Sequence, residues 1–304
     1  MKVLVADDST ISRRLLEAAL RKWDYEVVAA SDGAEAWELL KQEDAPRMAI
    51  LDWMMPGLSG PEVCRRVRER PNEHYTYLLL VTSRNHKEDL IEGMEAGADD
   101  YITKPFDQNE LKVRLGPGQR IVALQDALLL AQAALREQAT RDALTKTWNR
   151  RTILEILGRE LDRGAREKRP LGIVIGDLDR FKNVNDTYGH VTGDVVLAEV
   201  GQRLLHSCRS YDSVGRYGGE EFLLILPGCD AEAAECQAQR MRIELERREI
   251  SIENQELEVT CSFGATSIPG GRHATAEKVI RTADNALYQA KDRGRNCVVF
   301  QPFR

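Results

Sequence analysis

The sequence predicts an α/β protein of two domains, with a parallel sheet in the first domain and a mainly antiparallel sheet in the second. The chain has 304 residues, more than one typical hydrophobic core accommodates. Its first part alternates short β-rich runs with amphipathic helical stretches, the pattern of a parallel sheet with helices on both faces. From Arg141 onward the order changes to helix, strand, helix and a tight hairpin.

The composition is that of a globular protein, since 42% of the residues are hydrophobic and 30% are charged. No segment approaches the roughly 18 uninterrupted apolar residues that a membrane span requires. The opening MKVLVADDST places acids directly after a short apolar run, so it indicates a first strand and not a secretion signal. These features predict a cytoplasmic protein without a membrane partner. The net charge of -6 argues against a general nucleic-acid surface and leaves local basic pockets possible.

The six cysteines are scattered, with no C-x-x-C pair and no histidine at metal-ligand spacing. They are Cys64, Cys208, Cys229, Cys236, Cys261 and Cys297. We therefore expect buried free thiols without a chemical role.

Residues 1 to about 115 predict five strands that alternate with five helices. The strands are expected at KVLVAD, EVVAA, MAILD, YLLLVTS and DYITK. The helices are expected at Ile11 to Lys22, Ala34 to Gln42, Glu62 to Arg68, Lys87 to Ala96 and from Gln108 onward. In such a sheet, ligands bind beyond the carboxyl ends of the strands.

A helical segment with a breaker near its start follows the first domain. The GPG at residues 116–118 interrupts or bends the last helix of that domain. Beyond it, apolar residues recur at alternating spacings of three and four, at Ile121, Leu124, Leu128, Ala131 and Leu135. This short heptad seam fits either a connecting helix packed on its own domain or a two-stranded stalk. The stalk becomes the better interpretation only if the following domain works as a pair.

The second part predicts a buried strand at LGIVIGDLD, an amphipathic helix at Val195 to Leu205 and a hairpin at RYGGEEFLLIL. A Gly-Gly pair between β-rich runs is a strong signal for a two-residue hairpin, because both glycines can take positive φ without steric cost. A strand at LEVTCSFGATSI and a long helix at AEKVIRTADNALYQAKDRG follow.

Acidic and polar side chains follow the strands of the first domain. Asp7 and Asp8 follow the first strand, Asp52 ends the third, Thr82 lies at the end of the fourth, and Lys104 follows the fifth. Converging carboxylates repel one another unless a hard cation lies among them, and Mg²⁺ prefers such oxygen ligands. The constellation therefore predicts a Mg²⁺ site.

Residues 1–115 resemble the receiver domain of two-component response regulators, with VADDS, LDWMMPG, VTS and YITKPF in order. The resemblance implies a flavodoxin-like fold with a parallel five-stranded sheet, and phosphorylation of Asp52 by a cognate histidine kinase. The implied site consists of Asp7, Asp8 and Asp52 around the metal ion, Thr82 and Lys104 at the phosphoryl oxygens, and Tyr101 as the switch aromatic residue. The metal and the lysine offset the charge that develops on the transferring phosphoryl group.

Carboxylates also meet a glycine turn in the second part of the chain. Asp177 ends one strand, and Glu220 and Glu221 begin another directly after Gly218 and Gly219. Carboxylates from two adjacent strands can therefore face one pocket, and the glycines let the backbone approach phosphate. An acidic hairpin alone is more often a solvated turn, but its arrangement with Asp177 favours phosphoryl or nucleotidyl transfer.

From RDALTKTWNRR at Arg141 to GRN at residues 294–296, the chain resembles the GGDEF family of diguanylate cyclases, with the signature present as GGEEF. The resemblance implies a nucleotidyl-cyclase-type domain that uses Mg²⁺, with Mn²⁺ as an alternative. The implied metal and signature residues are Asp177 and Glu220 at the catalytic ion, Glu221 close to a second ion, and Gly218 and Gly219 against the substrate. The implied substrate contacts are Asn185 and Asp194 at the guanine, and Lys182, Lys291 and Arg295 at the triphosphate.

Two of these implied contacts have a physical rationale. Asp194 would accept from guanine N1–H and its amine, and adenine lacks that donor pair, so GTP is favoured over ATP. Lys291 and Arg295 are four residues apart on the last predicted helix and would share one face.

The resemblance implies that the 3′ hydroxyl of one GTP attacks the α-phosphate of another, which yields cyclic di-GMP and diphosphate. Each domain supplies half of the site, so the active form would be a homodimer whose geometry controls turnover. Arg209 and Asp212 match the family's R-x-x-D site for inhibition by the product. One departure is LTKTWN where the family usually has LTGLxN, so Lys146 and Thr147 alter the entry of the domain.

The sequence thus predicts a phosphorylation-activated diguanylate cyclase with a receiver domain at 1–115, a helical linker at 116–140 and a GGDEF domain at 141–304. The alternative is a catalytically weak domain that binds cyclic di-GMP at Arg209 and Asp212, which the intact GGEEF, Asp177 and Lys291 oppose. A DNA-binding regulator would need a helix-turn-helix with a basic recognition helix, and the sequence shows none, so no DNA partner is expected. Asp194 disfavours a mixed GMP-AMP product.

Overall fold

The computed structural model describes residues 1–70, 74–83, 87–247, 249–252 and 255–304. The chain divides into two compact units, Met1–Ala133 and Ala134–Arg304. Each unit contains its own five-stranded sheet and its own buried apolar clusters.

Strands and helices alternate throughout the first unit. The strands are β1 (Lys2–Ala6), β2 (Glu26–Ala30), β3 (Met48–Asp52), β4 (Tyr77–Thr82) and β5 (Asp100–Thr103). The helices are α1 (Thr10–Lys22), α2 (Gly33–Leu40), α3 (Gly60–Glu69), α4 (Lys87–Glu95) and α5 (Gln108–Thr140). The strands pair in parallel in the order β2-β1-β3-β4-β5, which confirms the predicted doubly wound fold.

The sheet of the first unit is buried on both faces, as a parallel sheet between two helical layers requires. Successive residues of a strand point to opposite faces, so Ile50 joins one apolar cluster and Leu51 joins the other. Leu111 and Leu115 of α5 are buried against the Ile50 face. Because β1 and β3 are neighbours, their carboxyl ends meet at one edge of the sheet.

Helix α5 continues without interruption through the GPG segment, so the predicted break does not occur. Pro117 lies inside the helix and removes one backbone donor. Gly118 allows the helix to approach β4 closely, because a Cβ at this position would lie 2.4 Å from the ring of Tyr77. Asp126 then forms an ion pair with Arg47 at 3.0 Å. The glycine therefore provides space for packing, and the helix packs on the first unit as far as Asp126.

The apolar seam of α5 is largely uncovered. Val122 is buried, but Leu124, Leu128 and Leu135 are 71%, 52% and 64% exposed. The packed stretch fits the connecting-helix interpretation, and the exposed leucines leave a surface on which a second helix could pair. Within the described ranges, none of the helices is both long enough and apolar enough to cross a bilayer.

The second unit is built from helices α6 (Arg150–Glu167), α7 (Phe181–Tyr188), α8 (His190–Ser207), α9 (Ala231–Glu246) and α10 (Ala276–Asp292). Its strands are β6 (Leu171–Leu178), β7 (Ser213–Arg216), β8 (Glu221–Pro227), β9 (Ile250–Ile252), β10 (Gln255–Leu257), β11 (Cys261–Ile268) and β12 (Val298–Phe300). The main sheet has the order β12-β11-β6-β8-β7. Its pairs are antiparallel except β11 with β12, which confirms the predicted mainly antiparallel sheet.

The β7–β8 hairpin forms as expected, but its turn is longer than the two residues predicted. The connection spans 217–220, and the backbone N–H groups of Tyr217 and Gly218 both donate to the carbonyl of Glu221, at 2.8 and 3.2 Å. Neither Gly218 nor Gly219 takes positive φ, so the predicted turn conformation is wrong. A Cβ at Gly218 would lie 2.4 Å from Glu221 Oε2, so a larger residue there would displace the Glu221 carboxylate.

All six cysteines are free, as predicted, but only three of them are fully buried and one is exposed. Cys64, Cys229 and Cys261 are buried, and Cys208 and Cys297 are half-buried. Cys236 is exposed on α9 because Ala234 and Ala238 of the same helix face the core, which turns Cys236 toward solvent.

Candidate phosphoacceptor and nucleotide sites

Three carboxylates converge where β1 and β3 end. Oxygens of Asp7, Asp8 and Asp52 all lie within 4.8 Å of one another, with Asp7 and Asp52 buried and Asp8 exposed. The parallel register of β1 and β3 places these residues at one edge of the sheet. An all-oxygen set of carboxylates, open to solvent on one side, fits a hard divalent cation that keeps part of its hydration shell.

Lys104 binds two of these acids. Its Nζ lies 2.9 Å from Asp7 Oδ2 and 3.0 Å from Asp52 Oδ2. Burial raises the pKa of Asp52 above its ordinary value, although the bond to Lys104 opposes the rise. Burial also disfavours the charged form of Lys104, but its hydrogen bonds to Asp7 and Asp52 raise its pKa overall. The lysine therefore stays protonated beside the acids.

The remaining residues predicted for this site lie in β4 and β5. Thr82 ends β4, is fully buried, and accepts a backbone hydrogen bond from the Lys104 N–H at 2.7 Å. Tyr101 lies in β5 opposite Leu80 and is half-buried against the core of the unit. The structure thus brings Asp7, Asp8, Asp52 and Lys104 into one cluster and places Thr82 at the same edge of the sheet.

A second acid–lysine pair lies in the second unit. Asp177, near the end of β6, is 6% exposed, and its Oδ2 lies 2.9 Å from Lys291 Nζ of α10. The antiparallel register places Glu221 of β8 directly opposite Asp177, so the two side chains emerge on the same face. Burial raises the pKa of both acids, Lys291 opposes the rise at Asp177, and the charge of Asp177 adds to the rise at Glu221.

Glu220 stands one residue outside this register. It is half-buried in the turn before β8, and its backbone carbonyl accepts from the Leu178 N–H at 3.4 Å. Among the described residues, the group of three acids whose oxygens all lie within 4.8 Å of one another is Asp7, Asp8 and Asp52. The acids Asp177, Glu220 and Glu221 are farther apart than that. The structure therefore brings Asp177, Glu221 and Lys291 together and places Glu220 beside them in the turn.

The two residues predicted to read guanine lie on successive helices. Asn185 is half-buried on α7, and Asp194 is exposed on α8. Gly189, with φ +84°, separates these helices. Gly193 lies against the Asn185 side chain, because a Cβ at this position would lie 1.9 Å from Asn185 Oδ1. The glycine before Asp194 thus lets the Asn185 amide lie beside the first turn of α8, near Asp194.

The predicted triphosphate contacts lie on three different segments. Lys182 is exposed on α7, and Lys291 is on α10. Arg295 is not on the last helix, which corrects the expectation that it shares a helical face with Lys291. α10 ends at Asp292 because Gly294, with φ +110°, leaves the helical conformation, and Arg295 follows in the turn with φ +69°.

Two family models match these two regions. The model for "Diguanylate cyclase, GGDEF domain" matches residues 139–297, and the model for "Response regulator receiver domain" matches residues 3–116. The chain belongs to the GGDEF family of diguanylate cyclases. The predicted family, fold class and enzyme class are thereby confirmed.

Several known proteins are similar to this chain over all or part of its length. The response regulator PleD of Caulobacter vibrioides is 26% identical over 449 aligned positions, which cover 98% of each chain. That alignment exceeds the 304 residues of this chain, so part of PleD has no counterpart here. The diguanylate cyclase DosC of Escherichia coli is 38% identical over 189 residues, 62% of this chain and 40% of DosC. The coiled coil and GGDEF domain of DgcB from Caulobacter crescentus, solved with c-di-GMP, has 28% identity and a TM-score of 0.55, covering 63% of this chain and 99% of that one.

The R-x-x-D residues of this GGDEF domain lie in the loop before β7. The Arg209 N–H donates to Asp212 Oδ2 at 2.9 Å, and Arg209 Nη1 donates to the Tyr211 hydroxyl at 2.8 Å. Burial raises the pKa of Asp212, and its Oδ1 is buried without a hydrogen-bond partner among the described residues. Arg209 and Tyr211 line a cavity of about 430 Å³ together with Arg163 of α6. The cavity is also lined by Glu160 and Glu167, which pair with Arg163, so Arg209 and Tyr211 are the groups left to meet a ligand.

Sequence reasoning missed a contact between the entry of the GGDEF domain and its signature turn. Arg216 Nε and Nη2 donate to the carbonyl of Gly219 at 3.0 and 2.8 Å, and its Nη1 lies 3.3 Å from Asp142 Oδ1. The arginine two residues before GGEEF was the available signal, but its partner is 74 residues away. Lys146, at the position of the glycine in the usual LTG pattern, takes φ +59°, a conformation that glycine adopts without strain.

Proposed function

We propose that this protein is a response regulator that converts two GTP molecules into cyclic di-GMP when Asp52 is phosphorylated. The observation that carries the proposal is the buried Asp177, paired with Lys291 and directly opposite Glu221 beside an intact GGEEF turn. The proposed domains are the receiver at 1–115, the helical linker at 116–140 and the cyclase at 141–304. A cytoplasmic location remains a prediction from the sequence.

In the cyclase domain, Asp177 and Glu220 would hold Mg²⁺ or Mn²⁺, with Glu221 near a second ion. Such an ion, when bound, stabilises the charge that develops on the α-phosphate. The oxygen-only donors of the three acids fit these hard cations. Asn185 and Asp194 would bind the guanine, and Lys182, Lys291 and Arg295 would bind the triphosphate through charge-assisted hydrogen bonds.

A single domain presents one nucleotide, so the 3′ hydroxyl and the α-phosphate must come from two domains that face each other. The active form would therefore be a homodimer. The exposed leucines of α5 supply an apolar surface for pairing, and the DgcB relative carries a coiled coil next to its GGDEF domain. Control of the dimer then controls turnover.

In the receiver domain, a cognate histidine kinase would phosphorylate Asp52 while Mg²⁺ is held by Asp7, Asp8 and Asp52. Lys104, already within 3.0 Å of the Asp52 carboxylate, would bind the phosphoryl oxygens with Thr82. Thr82 and Tyr101 would shift toward the phosphoryl group and remodel the surface around β5 for dimerisation. Helix α5 would carry that change to the cyclase domain.

Arg209 and Asp212 would bind the product, and the cavity that Arg209 lines with Tyr211 and Arg163 supports a ligand there. The same feature keeps a second candidate function open, in which the domain is a receptor for cyclic di-GMP and makes little of it. Turnover distinguishes the two functions, since a receptor binds the product without producing it.

The test incubates the purified full chain with GTP and Mg²⁺, with and without beryllofluoride, and separates the products by chromatography. Size-exclusion chromatography with light scattering on the same samples measures the oligomeric state. We expect cyclic di-GMP, more product with beryllofluoride, and a shift toward the dimer. A protein that binds cyclic di-GMP but consumes no GTP under any of these conditions is the receptor and not the enzyme.

A further inference from the structure

Asp179, two residues after the predicted metal ligand Asp177, binds three groups from distant parts of the GGDEF domain. Its Oδ1 accepts from the Ser262 hydroxyl at 2.6 Å, and its Oδ2 accepts from the Thr260 hydroxyl at 2.8 Å. The same Oδ2 accepts from the backbone N–H of Asn296 at 2.9 Å. The Asp179 N–H in turn donates to the Thr260 carbonyl at 2.9 Å. The carboxylate therefore ties the end of β6 to β11 and to the segment that follows α10.

The segment held by Asp179 has an unfavourable backbone conformation. Gly294, Arg295 and Asn296 take φ of +110°, +69° and +46° in succession. Non-glycine residues in this region carry about 1 kcal/mol of strain or more, so two in a row persist only where other contacts hold them. The Asn296 side chain donates to Glu246 at 2.8 Å and accepts from Arg242 at 3.1 Å, which supports the same turn from the side of α9.

This turn carries Arg295. The Arg295 side chain is exposed, and the structure shows it in no ion pair with another of the described residues. Arg295 lines a cavity of about 360 Å³ together with Asn183 of α7, the helix that also carries the predicted guanine contact Asn185. Asp177 and Asp179 thus bind the two ends of one segment, the first through Lys291 and the second through Asn296.

We propose that Asp179 is a positioning residue that fixes the turn of residues 294–296 so that Arg295 meets the triphosphate. The inference rests on the proposed function, because it takes Arg295 as a phosphate ligand. Asp179 itself touches no nucleotide in this proposal, and its effect on binding passes entirely through Arg295.

The test compares the full-length wild type with Asp179→Asn, Arg295→Ala and the double variant. Asparagine keeps the size of the side chain but replaces an acceptor oxygen with an amide that faces donors. Calorimetry with a non-hydrolysable GTP analogue and Mg²⁺ measures the Kd, and initial rates of cyclic di-GMP formation give KM and kcat. Asp230→Asn, an exposed capping acid at the start of α9, is the matched control and leaves all three constants unchanged.

We expect each single variant to weaken analogue binding and raise KM by about tenfold, with the change in KM larger than that in kcat. In the double variant, the loss equals that of Arg295→Ala alone, because Asp179 has nothing further to position. Hydrogen exchange of the Asn296 amide becomes faster in Asp179→Asn. If that variant does not fold, Thr260→Val removes one donor from the carboxylate and produces the same pattern with a loss of about threefold.

The positioning role would be overturned if the double variant lost affinity by the product of the two single-variant factors. An unchanged Kd in Asp179→Asn would overturn it as well. The binding measurement separates this failure from failure of the proposed function. A wild type that binds the analogue but makes no cyclic di-GMP overturns the proposed activity, while the Kd values still decide the role of Asp179. A wild type that binds no analogue overturns both.

Discussion

In both the receiver site and the cyclase site a lysine forms an ion pair with buried aspartate, but the number of aspartates that it contacts differs. In the receiver, Lys104 serves two buried acids, and a third acid lies within 4.8 Å of them. In the cyclase, Lys291 pairs with Asp177 alone. The receiver site therefore retains net negative charge that a divalent cation can neutralise within one chain. The Asp177–Lys291 pair is balanced by itself, and the negative charge that would attract a cation comes from Glu221, directly opposite Asp177, and from Glu220 in the adjoining turn.

Sheet geometry explains the difference. Parallel strands β1 and β3 end at the same edge, so the acids after β1 and the acid at the end of β3 converge. Antiparallel strands β6 and β8 place the end of one beside the start of the other, so the register brings one cross-strand pair to the site. The acids of the receiver site thus converge within one domain, whereas the proposed cyclase mechanism needs a nucleotide and a second domain to complete the site.

The largest expected effect comes from Asp177→Asn, which removes the acid of the balanced pair. We expect cyclic di-GMP formation to fall by about a thousandfold, because loss of a metal-binding carboxylate removes several kcal/mol of transition-state stabilisation. The response of the receiver to beryllofluoride stays intact and is read from the fluorescence of Trp53, next to Asp52. Retained turnover in this variant would break the assignment of the pair to catalysis.

The reciprocal substitution, Asp52→Asn, tests whether the receiver site controls the cyclase site. We expect the activation by beryllofluoride, about tenfold in the wild type, to disappear while the basal rate stays the same. Initial rates measured with and without the phosphoryl mimic decide the point. Equal activation of the variant and the wild type would separate the two sites functionally.

A smaller effect is expected from Gly193→Ala, which has no counterpart in the receiver because only the cyclase must recognise a base. A Cβ at 193 would lie 1.9 Å from Asn185 Oδ1, so the amide must move from its present position. We expect KM for GTP to rise about fivefold, because the variant loses one hydrogen bond to the base. Gly158→Ala in α6 meets nothing within 4 Å and is the matched control. Equal KM values in the two variants would contradict the assignment of Asn185.

The smallest expected effect concerns stability and pH. Burial raises the pKa of both Asp52 and Asp177, so each folded-state pKa lies above the unfolded value of about 4. The stability that each acid contributes is present below the unfolded value and is lost as pH rises through the folded pKa. In EDTA, Asp52→Asn and Asp177→Asn should therefore be more stable than the wild type at pH 7, with the difference vanishing near pH 3. Urea unfolding curves measure it, and a less stable variant at pH 7 would refute the direction.

Much of the fold followed from local patterns. The alternation of β-rich runs and amphipathic stretches predicted the strands and helices of the receiver. Acids directly after β1 and at the end of β3 predicted the Asp7 and Asp52 cluster. Local patterns did not predict helices α7 and α9 or the short strands β9, β10 and β12. α7 has only eight residues. α9 is polar over much of its length, and the three strands have only three residues each.

By itself, the sequence determined the two domains, the sheet types and the residue types of both sites, because periodicity and short motifs are local properties of the chain. Only the tertiary structure decided which acids and cations meet. The register of β6 and β8 set Asp177 opposite Glu221, and the fold brought Asp179 to Asn296 across 117 residues. The packing of α5 against β4 depended in the same way on the space that Gly118 leaves for Tyr77. Such contacts join distant segments, and no local pattern specifies their distance or register.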